Sequence, residues 1–195
     1  MAKPIFILAS KSPRRKELLK NIGLDVQIFP ANVDESALKD LPPEKMVQQL
    51  AMLKASHVAH TFNCEVYVIG ADTVVVLDGE VFGKPHNIEE AVGMLSRLSG
   101  KTHSVYTGYC VINTKTNTAV SKCEKTEVTF RKLSEKEIMA YVKTREPMDK
   151  AGAYGIQEKG SIFIEKINGD YFNVVGLPVC ALSKMLAEEF NINIL

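Results

Sequence analysis

The sequence has few cysteines, and none of them stands at the spacing of a metal site. The four cysteines are scattered, and no two of them form a C-x-x-C motif. A disulfide framework and a structural zinc site are therefore disfavoured. We expect reduced thiols, most of them packed, in a cytoplasmic protein; they are Cys64, Cys110, Cys123 and Cys180.

Long apolar runs are also missing. No stretch of the sequence is long enough to span a bilayer. Ser10 and Lys11 interrupt the apolar run that begins at Ile5, too early for the core of a signal peptide. These absences argue against a membrane protein and against an exported one.

A strong net charge is missing as well. The formal net charge is +1, so no overall field would attract nucleic acid, and the basic cluster Arg14–Lys16 is a local feature. The hydrophobic and charged fractions are those of an ordinary globular protein. At 195 residues, the chain suits one domain, or two lobes that share a cleft.

The clearest local signal lies near the start of the sequence. The apolar run Ile5–Leu8 is typical of a strand buried on both faces. Ser12 follows where a helix N-cap belongs, and the fixed φ of Pro13 suits the first helical turn. These residues predict a strand that leads directly into a helix.

The first turn of that helix carries Arg14, Arg15 and Lys16. Exposed cations at this end oppose the helix macrodipole and cost about 0.3–1 kcal/mol each. Hydroxyls, free N–H groups and arginines at a helix N-terminus are well suited to bind an anion, phosphate above all. We predict a phosphate site here; the alternative is a solvated basic helix start whose repulsion is tolerated.

The rest of the pattern predicts a mixed α/β chain. The predicted helices run from Pro42–Pro43 to about Phe62, over Ile88–Leu98, after the capping-box pair Ser134 and Glu137, and after Pro178. The predicted strands are Val26–Phe29, Val66–Ile69, Val74–Leu77 with a hairpin return through Glu80–Phe82, Thr102–Asn113, Glu124–Arg131, and a last hairpin of Ile162–Ile167 and Tyr171–Val175.

Several polar residues interrupt this pattern where a site is expected. Asp72 separates two β-branched stretches where a buried carboxylate is expensive, and Gly70 permits close backbone approach. We place Asp72 at a strand end, with an Asp turn or cap as the alternative. Lys84 lies on a constrained loop and is a second candidate phosphate ligand, whereas Lys54 is either a cleft-edge residue or a solvated one.

The stretch Thr144–Gln157 follows neither the helical nor the strand period. Long irregular segments in a compact chain are usually functional or disordered. The aromatic and apolar residues of this stretch favour order, so we predict a binding loop.

Basic and acidic residues together suit divalent-metal chemistry on a polyphosphate. Hard cations such as Mg²⁺ bind carboxylate and phosphate oxygens, and they acidify water. No G-x-x-x-x-G-K-[ST] or G-x-S-x-G motif is present, so neither a P-loop ATPase nor a serine hydrolase is predicted. The residues in question are Arg14, Arg15, Lys54, Lys84, Glu35 and Asp72.

Four motifs carry a more specific resemblance. They are L-A-S-x-S-P-R-R at Leu8–Arg15, G-A-D-T at Gly70–Thr73, G-K-P at Gly83–Pro85 and D-K-A-G-A-Y-G-I-Q at Asp149–Gln157. With these motifs in order, the chain resembles the Maf family of nucleotide pyrophosphatases from end to end. The resemblance implies a single domain over residues 1–195, with a mixed twisted α/β sheet in two lobes around a central cleft, related to the house-cleaning inosine triphosphate pyrophosphatases.

The resemblance also implies an activity, the cleavage of a nucleoside triphosphate to the monophosphate and pyrophosphate with Mg²⁺, Mn²⁺ or a similar ion. With Gln157 intact, the chain resembles the branch of the family that acts on dTTP and UTP, rather than the branch that prefers 7-methyl-GTP. An amide can pair with the donor–acceptor edge of uracil or thymine. Whether the substrate is a normal or a modified pyrimidine nucleotide stays open.

Residue roles follow from the same resemblance, position by position. Asp72 matches the residue assigned as proton acceptor, and Glu35 matches an acidic residue that supports metal or water, so both are candidate metal ligands. The phosphate-binding positions match Ser10, Arg14, Arg15, Lys54 and Lys84, and the positions linked to substrate choice match Arg14, Thr73 and Gln157.

Two other functions are alternatives to this one. A nucleotide-sensing regulator of cell division would bind nucleotide without releasing product. DNA binding through the S-P-R-R-K segment is disfavoured by the near-neutral net charge and would show a steep salt dependence. The oligomeric state stays open, although an exposed strand edge or helix face could form a homodimer.

Overall fold

The computed structural model describes residues 4–195 and divides the chain into two compact units. The first unit contains the described part of Met1–Asp72 together with Thr107–Glu124 and Gly176–Leu195. The second unit contains Thr73–Tyr106 and Lys125–Val175. Each unit is therefore built from separate stretches of the chain. The single domain over the whole chain and the cleft stay predictions.

The described residues form a seven-stranded mixed sheet, which confirms the predicted fold class. Its strands are β1 (Phe6–Leu8), β2 (Val26–Ile28), β3 (Tyr67–Leu77), β4 (Glu80–Phe82), β5 (Thr102–Asn113), β6 (Ala119–Phe130) and β7 (Ile164–Asn168). The order is β2-β1-β3-β5-β6-β7, with β4 paired to β3. Strand β1 runs parallel to β2 and β3, with Phe6 opposite Val26 and Tyr67, whereas β4 and β7 are antiparallel to their partners.

The helices begin largely where the sequence predicts. They are α1 (Pro13–Asn21), α2 (Pro43–Ala59), α3 (Ile88–Leu98), α4 (Glu135–Lys143), α5 (Tyr171–Val175) and α6 (Val179–Phe190). Ser12 caps α1 by accepting a hydrogen bond from the Arg15 amide, and Ser134 and Glu137 form the predicted capping box of α4. Among residues 4–195, no helix combines the length and apolar character needed to cross a membrane.

Two predicted elements are wrong. Tyr171–Val175 forms helix α5 rather than the second strand of a hairpin. Strand β3 continues through Gly70–Thr73, so Asp72 lies within a strand and not at its end. The prediction of mostly packed thiols is also wrong for Cys64 and Cys180, which are exposed; all four cysteines are free.

Two glycines let α2 lie unusually close to the sheet of the first unit. A Cβ atom added at Gly70 of β3 would overlap the carbonyl oxygen of Ala51 and lie 2.9 Å from the Cβ atom of Ala55. A Cβ atom added at Gly108 of β5 would overlap the carbonyl group of Val47. Real Cβ atoms do not approach backbone so closely, so this packing of α2 requires glycine at both positions.

An aromatic cluster surrounds His103 in the second unit. The imidazole is 2% exposed, and its Nε2 atom lies 2.8 Å from the Tyr154 hydroxyl. The rings of Phe130 and Tyr154 both contact it edge-on, while its Nδ1 atom has no hydrogen-bond partner within residues 4–195. Burial lowers the pKa of His103 to about 4, so this residue stays neutral in the folded protein near pH 7.

We expect His103 to weaken the fold in mild acid. Unfolded histidine titrates near pH 6.5, so between that pH and about 4 the unfolded state binds a proton that the folded state does not. Stability therefore falls as the pH falls through this window, by about 2 kcal/mol at pH 5. Urea unfolding at pH 7.5 and pH 5.0 measures the loss. His103→Gln is the control, and an equal loss in both proteins would contradict the assignment.

Candidate active site

One lysine draws two carboxylates together in the first unit. Helix α2 carries Lys54, whose side chain is only 15% exposed. Its Nζ atom lies 2.6 Å from Asp72 Oδ1 and 2.8 Å from Glu35 Oε1. The two carboxylate oxygens can thus be no farther apart than the sum of these distances. Lys54 is therefore not a solvated surface lysine, and its position at a cleft edge stays a prediction.

The two carboxylates differ in their access to solvent. The Asp72 side chain is 16% exposed within β3, whereas Glu35 is 45% exposed before the short 3-10 turn Ser36–Leu38. A largely buried carboxylate needs a charged or hydrogen-bonding partner, and Lys54 supplies it. Lys54 thus forms ion pairs with both the largely buried Asp72 and the more exposed Glu35.

Arg15 ties together three separate stretches of the first unit. Its Nε atom donates to the Gly176 carbonyl at 2.8 Å, and its Nη1 atom donates to the Ala71 carbonyl at 2.8 Å and to Ser10 Oγ at 3.1 Å. Burial lowers the pKa of Arg15, and the charge of Asp72 opposes that effect. Arginine nevertheless keeps its charge in proteins. The guanidinium therefore fixes the backbone next to Asp72 while bringing positive charge beside it.

The turn between β1 and α1 contains the residues of the predicted phosphate site, which stays a prediction. Ser10 Oγ accepts a hydrogen bond from the Ser12 amide at 3.2 Å and from Arg15, which orders the turn between β1 and α1. Arg14 lies in the first turn of α1 and is partly exposed. Backbone N–H groups and positive side chains at one helix terminus favour a phosphate.

The remaining candidate residues belong to the second unit. Thr73 follows Asp72 on β3, Lys84 lies exposed on the loop after β4, and Gln157 is exposed. The amide of Gly152 donates to the carbonyl of Gly83 at 2.9 Å. This bond joins the loop that carries Lys84 to the segment that leads to Gln157.

The side chains that could coordinate a divalent cation are few. Within residues 4–195, no group of three or more histidine, cysteine or acidic side chains is arranged to hold an ion. Glu35 and Asp72 offer two hard oxygen ligands, and Mg²⁺ is commonly held by one or two carboxylates plus substrate phosphates. The residues present fit an ion that binds together with a polyphosphate.

Two kinds of hydrogen-bond partner of the candidate site residues could not be found from the sequence. The Gly176 carbonyl binds Arg15, but a backbone acceptor leaves no trace in side-chain patterns. Tyr141 and Glu146 contact one another and the segment that contains Gln157. Glu146 lies inside the stretch predicted as a binding loop, but its contact with this segment was not predicted.

Sequence comparisons with known proteins point to one family. The family model for Maf-like protein matches residues 5–189. A protein of Thermoanaerobacter sp. strain X514 named dTTP/UTP pyrophosphatase is 48% identical over 97% of this chain and 98% of its own length. Another of that name, from Bacillus thuringiensis subsp. konkukian, is 51% identical over 96% of both chains. A solved nucleoside-triphosphatase (dITP/XTP pyrophosphatase) of Mycobacterium abscessus is 10% identical with a TM-score of 0.40, covering 66% of this chain and 75% of that one.

Proposed function

The chain belongs to the Maf family, and on that premise we propose that it hydrolyses dTTP and UTP to the nucleoside monophosphate and pyrophosphate. The observation that carries the proposal is the contact of Lys54 with both Asp72 and Glu35. The three residues in this contact are the ones that we propose as proton acceptor (Asp72), supporting acid (Glu35) and phosphate-binding cation (Lys54). The similarity to relatives named for this reaction, over nearly the full chain, supports the substrate class.

Asp72 accepts a proton from water as the water oxygen attacks the α-phosphorus. The P–O bond to the β-phosphate breaks, and pyrophosphate departs with the bond's electrons. Arg14, Arg15, Lys54 and Lys84 stabilise the negative charge that builds on the phosphate oxygens. Ser10 holds Arg15 in position through its hydroxyl oxygen.

A divalent cation, Mg²⁺ or Mn²⁺, would be held by Glu35 and Asp72 and would polarise the phosphoryl group when bound. Lys54 contacts both of these carboxylates and so keeps them close together. Glu35 is the more exposed of the two, which leaves it accessible for this role. No observation favours the alternative of a sensor that binds nucleotide without hydrolysing it.

Pyrophosphate release from dTTP, UTP, CTP, GTP and 7-methyl-GTP, with and without Mg²⁺, tests the proposal. We expect metal-dependent release chiefly from dTTP and UTP. Release mainly from CTP or 7-methyl-GTP would retain the chemistry and overturn the proposed selectivity. Binding of nucleotide with no release from any of the panel would instead support the sensor.

Replacing Gln157 with alanine is expected to lower kcat/KM for dTTP and UTP by about 10- to 100-fold, because a base edge would lose its hydrogen-bonding partner. Release from CTP should change less, so the ratio of dTTP to CTP is the quantity to measure. Gln27→Ala, which removes an exposed amide from β2, is the matched control. An unchanged dTTP-to-CTP ratio in Gln157→Ala would contradict the proposed role of Gln157 in base recognition.

A further inference from the structure

Tyr141 and Glu146 form a hydrogen-bonded pair beneath the segment that carries Gln157. The Tyr141 hydroxyl donates to Glu146 Oε1 at 2.8 Å, and the tyrosine is only 4% exposed. Burial and the bond to Glu146 raise the pKa of Tyr141, so the phenol keeps the proton that it donates. The edge-on contact of Tyr141 with Phe163, with ring centroids 5.0 Å apart, fixes its orientation.

This pair holds both ends of the short segment 155–160. At one end, the amide of Gly155 donates to the Tyr141 hydroxyl at 3.1 Å. At the other end, the amides of Lys159 and Gly160 donate to Glu146 Oε2 and Oε1, at 3.2 and 3.1 Å. Gln157 lies between the two anchored ends and is itself exposed.

The two anchored ends are closely packed, most tightly at Gly160, where the obstacle includes backbone. A Cβ atom added at Gly160 would lie 2.6 Å from both the Gly155 carbonyl oxygen and the Tyr141 hydroxyl. A Cβ atom added at Gly155 would lie 2.7 Å from Cε of Lys150. Lys150 is itself buried, and its Nζ atom donates to the Glu146 carbonyl at 2.7 Å and to Asp149 at 2.8 Å. The segment is thus closed at its base by a dense set of contacts.

We propose that Tyr141 and Glu146 are positioning residues that set nucleotide selectivity by holding segment 155–160, and with it Gln157, in one conformation. The inference rests on the proposed role of Gln157 in base recognition. Neither residue needs to touch the substrate. Their effect arises because a side chain on a fixed segment loses little conformational freedom when it binds a ligand.

The position of the pair predicts a particular kinetic signature. Loss of the anchor frees the segment before substrate binds, so the cost of ordering it falls on binding and on discrimination between bases. Asp72, Lys54 and Arg15, which act at the phosphates in the proposed function, are held by contacts that involve neither Tyr141 nor Glu146. The selectivity ratio should therefore change more than kcat for dTTP.

Tyr141→Phe and Glu146→Ala test the inference, with Glu146→Gln as the conservative variant. Tyr141→Phe keeps the ring packed on Phe163 and removes only the hydroxyl. We expect both to lower the dTTP-to-CTP ratio of kcat/KM by about 10-fold while kcat for dTTP falls less than about 3-fold. Glu146→Gln keeps one acceptor oxygen and should recover part of the ratio. Glu135→Ala, an exposed acid on α4, should behave as wild type.

Amide hydrogen exchange over 155–160 supplies a readout that does not depend on activity. We expect faster exchange there in both test variants, with exchange in β1 and α2 unchanged. If the wild type hydrolyses no nucleotide, the proposed function fails, while the exchange data still decide whether the anchor exists. If the wild type is selective and the variants keep its ratio, or if exchange over 155–160 is unchanged, the inference fails and the function stands. A uniform loss of kcat on every nucleotide would also contradict it.

Discussion

Asp72→Asn is expected to lower kcat for dTTP by about 10²- to 10⁴-fold, the usual contribution of a positioned general base. The amide keeps the size and hydrogen-bonding capacity of the side chain but cannot accept the proton from water. Lys54 would retain its ion pair with Glu35, so the positive charge is not left without a partner. The loss should therefore be chemical rather than structural.

Steady-state pyrophosphate release, with circular dichroism to verify folding, measures this effect. Glu35→Gln should cause a smaller loss, because Glu35 is more exposed and would only hold the ion, whereas Asp72 would also accept the proton. Asp78→Asn is a suitable control, since Asp78 lies in the β3–β4 turn at a φ of 52°, where asparagine is well tolerated. Near-normal kcat in both Asp72→Asn and Glu35→Gln would contradict the proposed roles of the two carboxylates.

Gly70→Ala is expected to destabilise the first unit and to disturb the candidate site at the same time. The new Cβ atom would overlap the Ala51 carbonyl and crowd Ala55, so α2 would have to move away from β3. Overpacking of this kind typically costs about 1–3 kcal/mol, and more where rigid backbone is the obstacle. Because α2 also carries Lys54, the displacement should pull the ammonium away from Asp72 and reduce activity in whatever fraction still folds.

Urea unfolding and residual pyrophosphate release on the same sample measure both consequences. Gly93→Ala is the matched control, because Gly93 lies within α3 with no atom near its Cβ position. Alanine there should stabilise the protein by about 0.5–1 kcal/mol through its higher helix propensity. A Gly70→Ala protein as stable and active as Gly93→Ala would mean that α2 can shift at little cost.

The sequence predicts those elements whose signals are local. Helix α1 follows from the cap at Ser12, and α4 follows from the capping box of Ser134 and Glu137. Helix α3 follows from its apolar period, and the structure adds a cap at Asn87 that was not predicted. Each of these signals lies within one helical turn of the residue that it positions.

Helix α5 could not be predicted in the same way, because its determinants are distant in sequence. Thr126 Oγ1 exchanges hydrogen bonds with the backbone of Asp170, and Asn173 Nδ2 donates to the Val105 carbonyl and to Thr126. Strand β6 and strand β5 supply these partners. The local pattern of β-branched and aromatic residues favours a strand, and long-range contacts override it.

The parts of the candidate site were predictable as residue types but not as a geometry. The sequence indicates that Asp72, Glu35 and Lys54 belong to one chemistry, whereas only the fold brings both carboxylates to a single ammonium. The interpretation of Asp72 as a strand-end residue is wrong because a nearby lysine makes a carboxylate tolerable inside β3.

The order in which the two units share the chain has a consequence during protein synthesis. Segment 176–195 belongs to the first unit, yet it leaves the ribosome after every residue of the second unit. Gly176, whose carbonyl binds Arg15, lies in that segment. When the whole second unit has left the ribosome, Gly176 has not yet emerged, and Arg15 still lacks this partner. The first unit can therefore be completed only late in translation. Because this contact joins residues far apart in sequence, we expect the first unit to finish folding after the second.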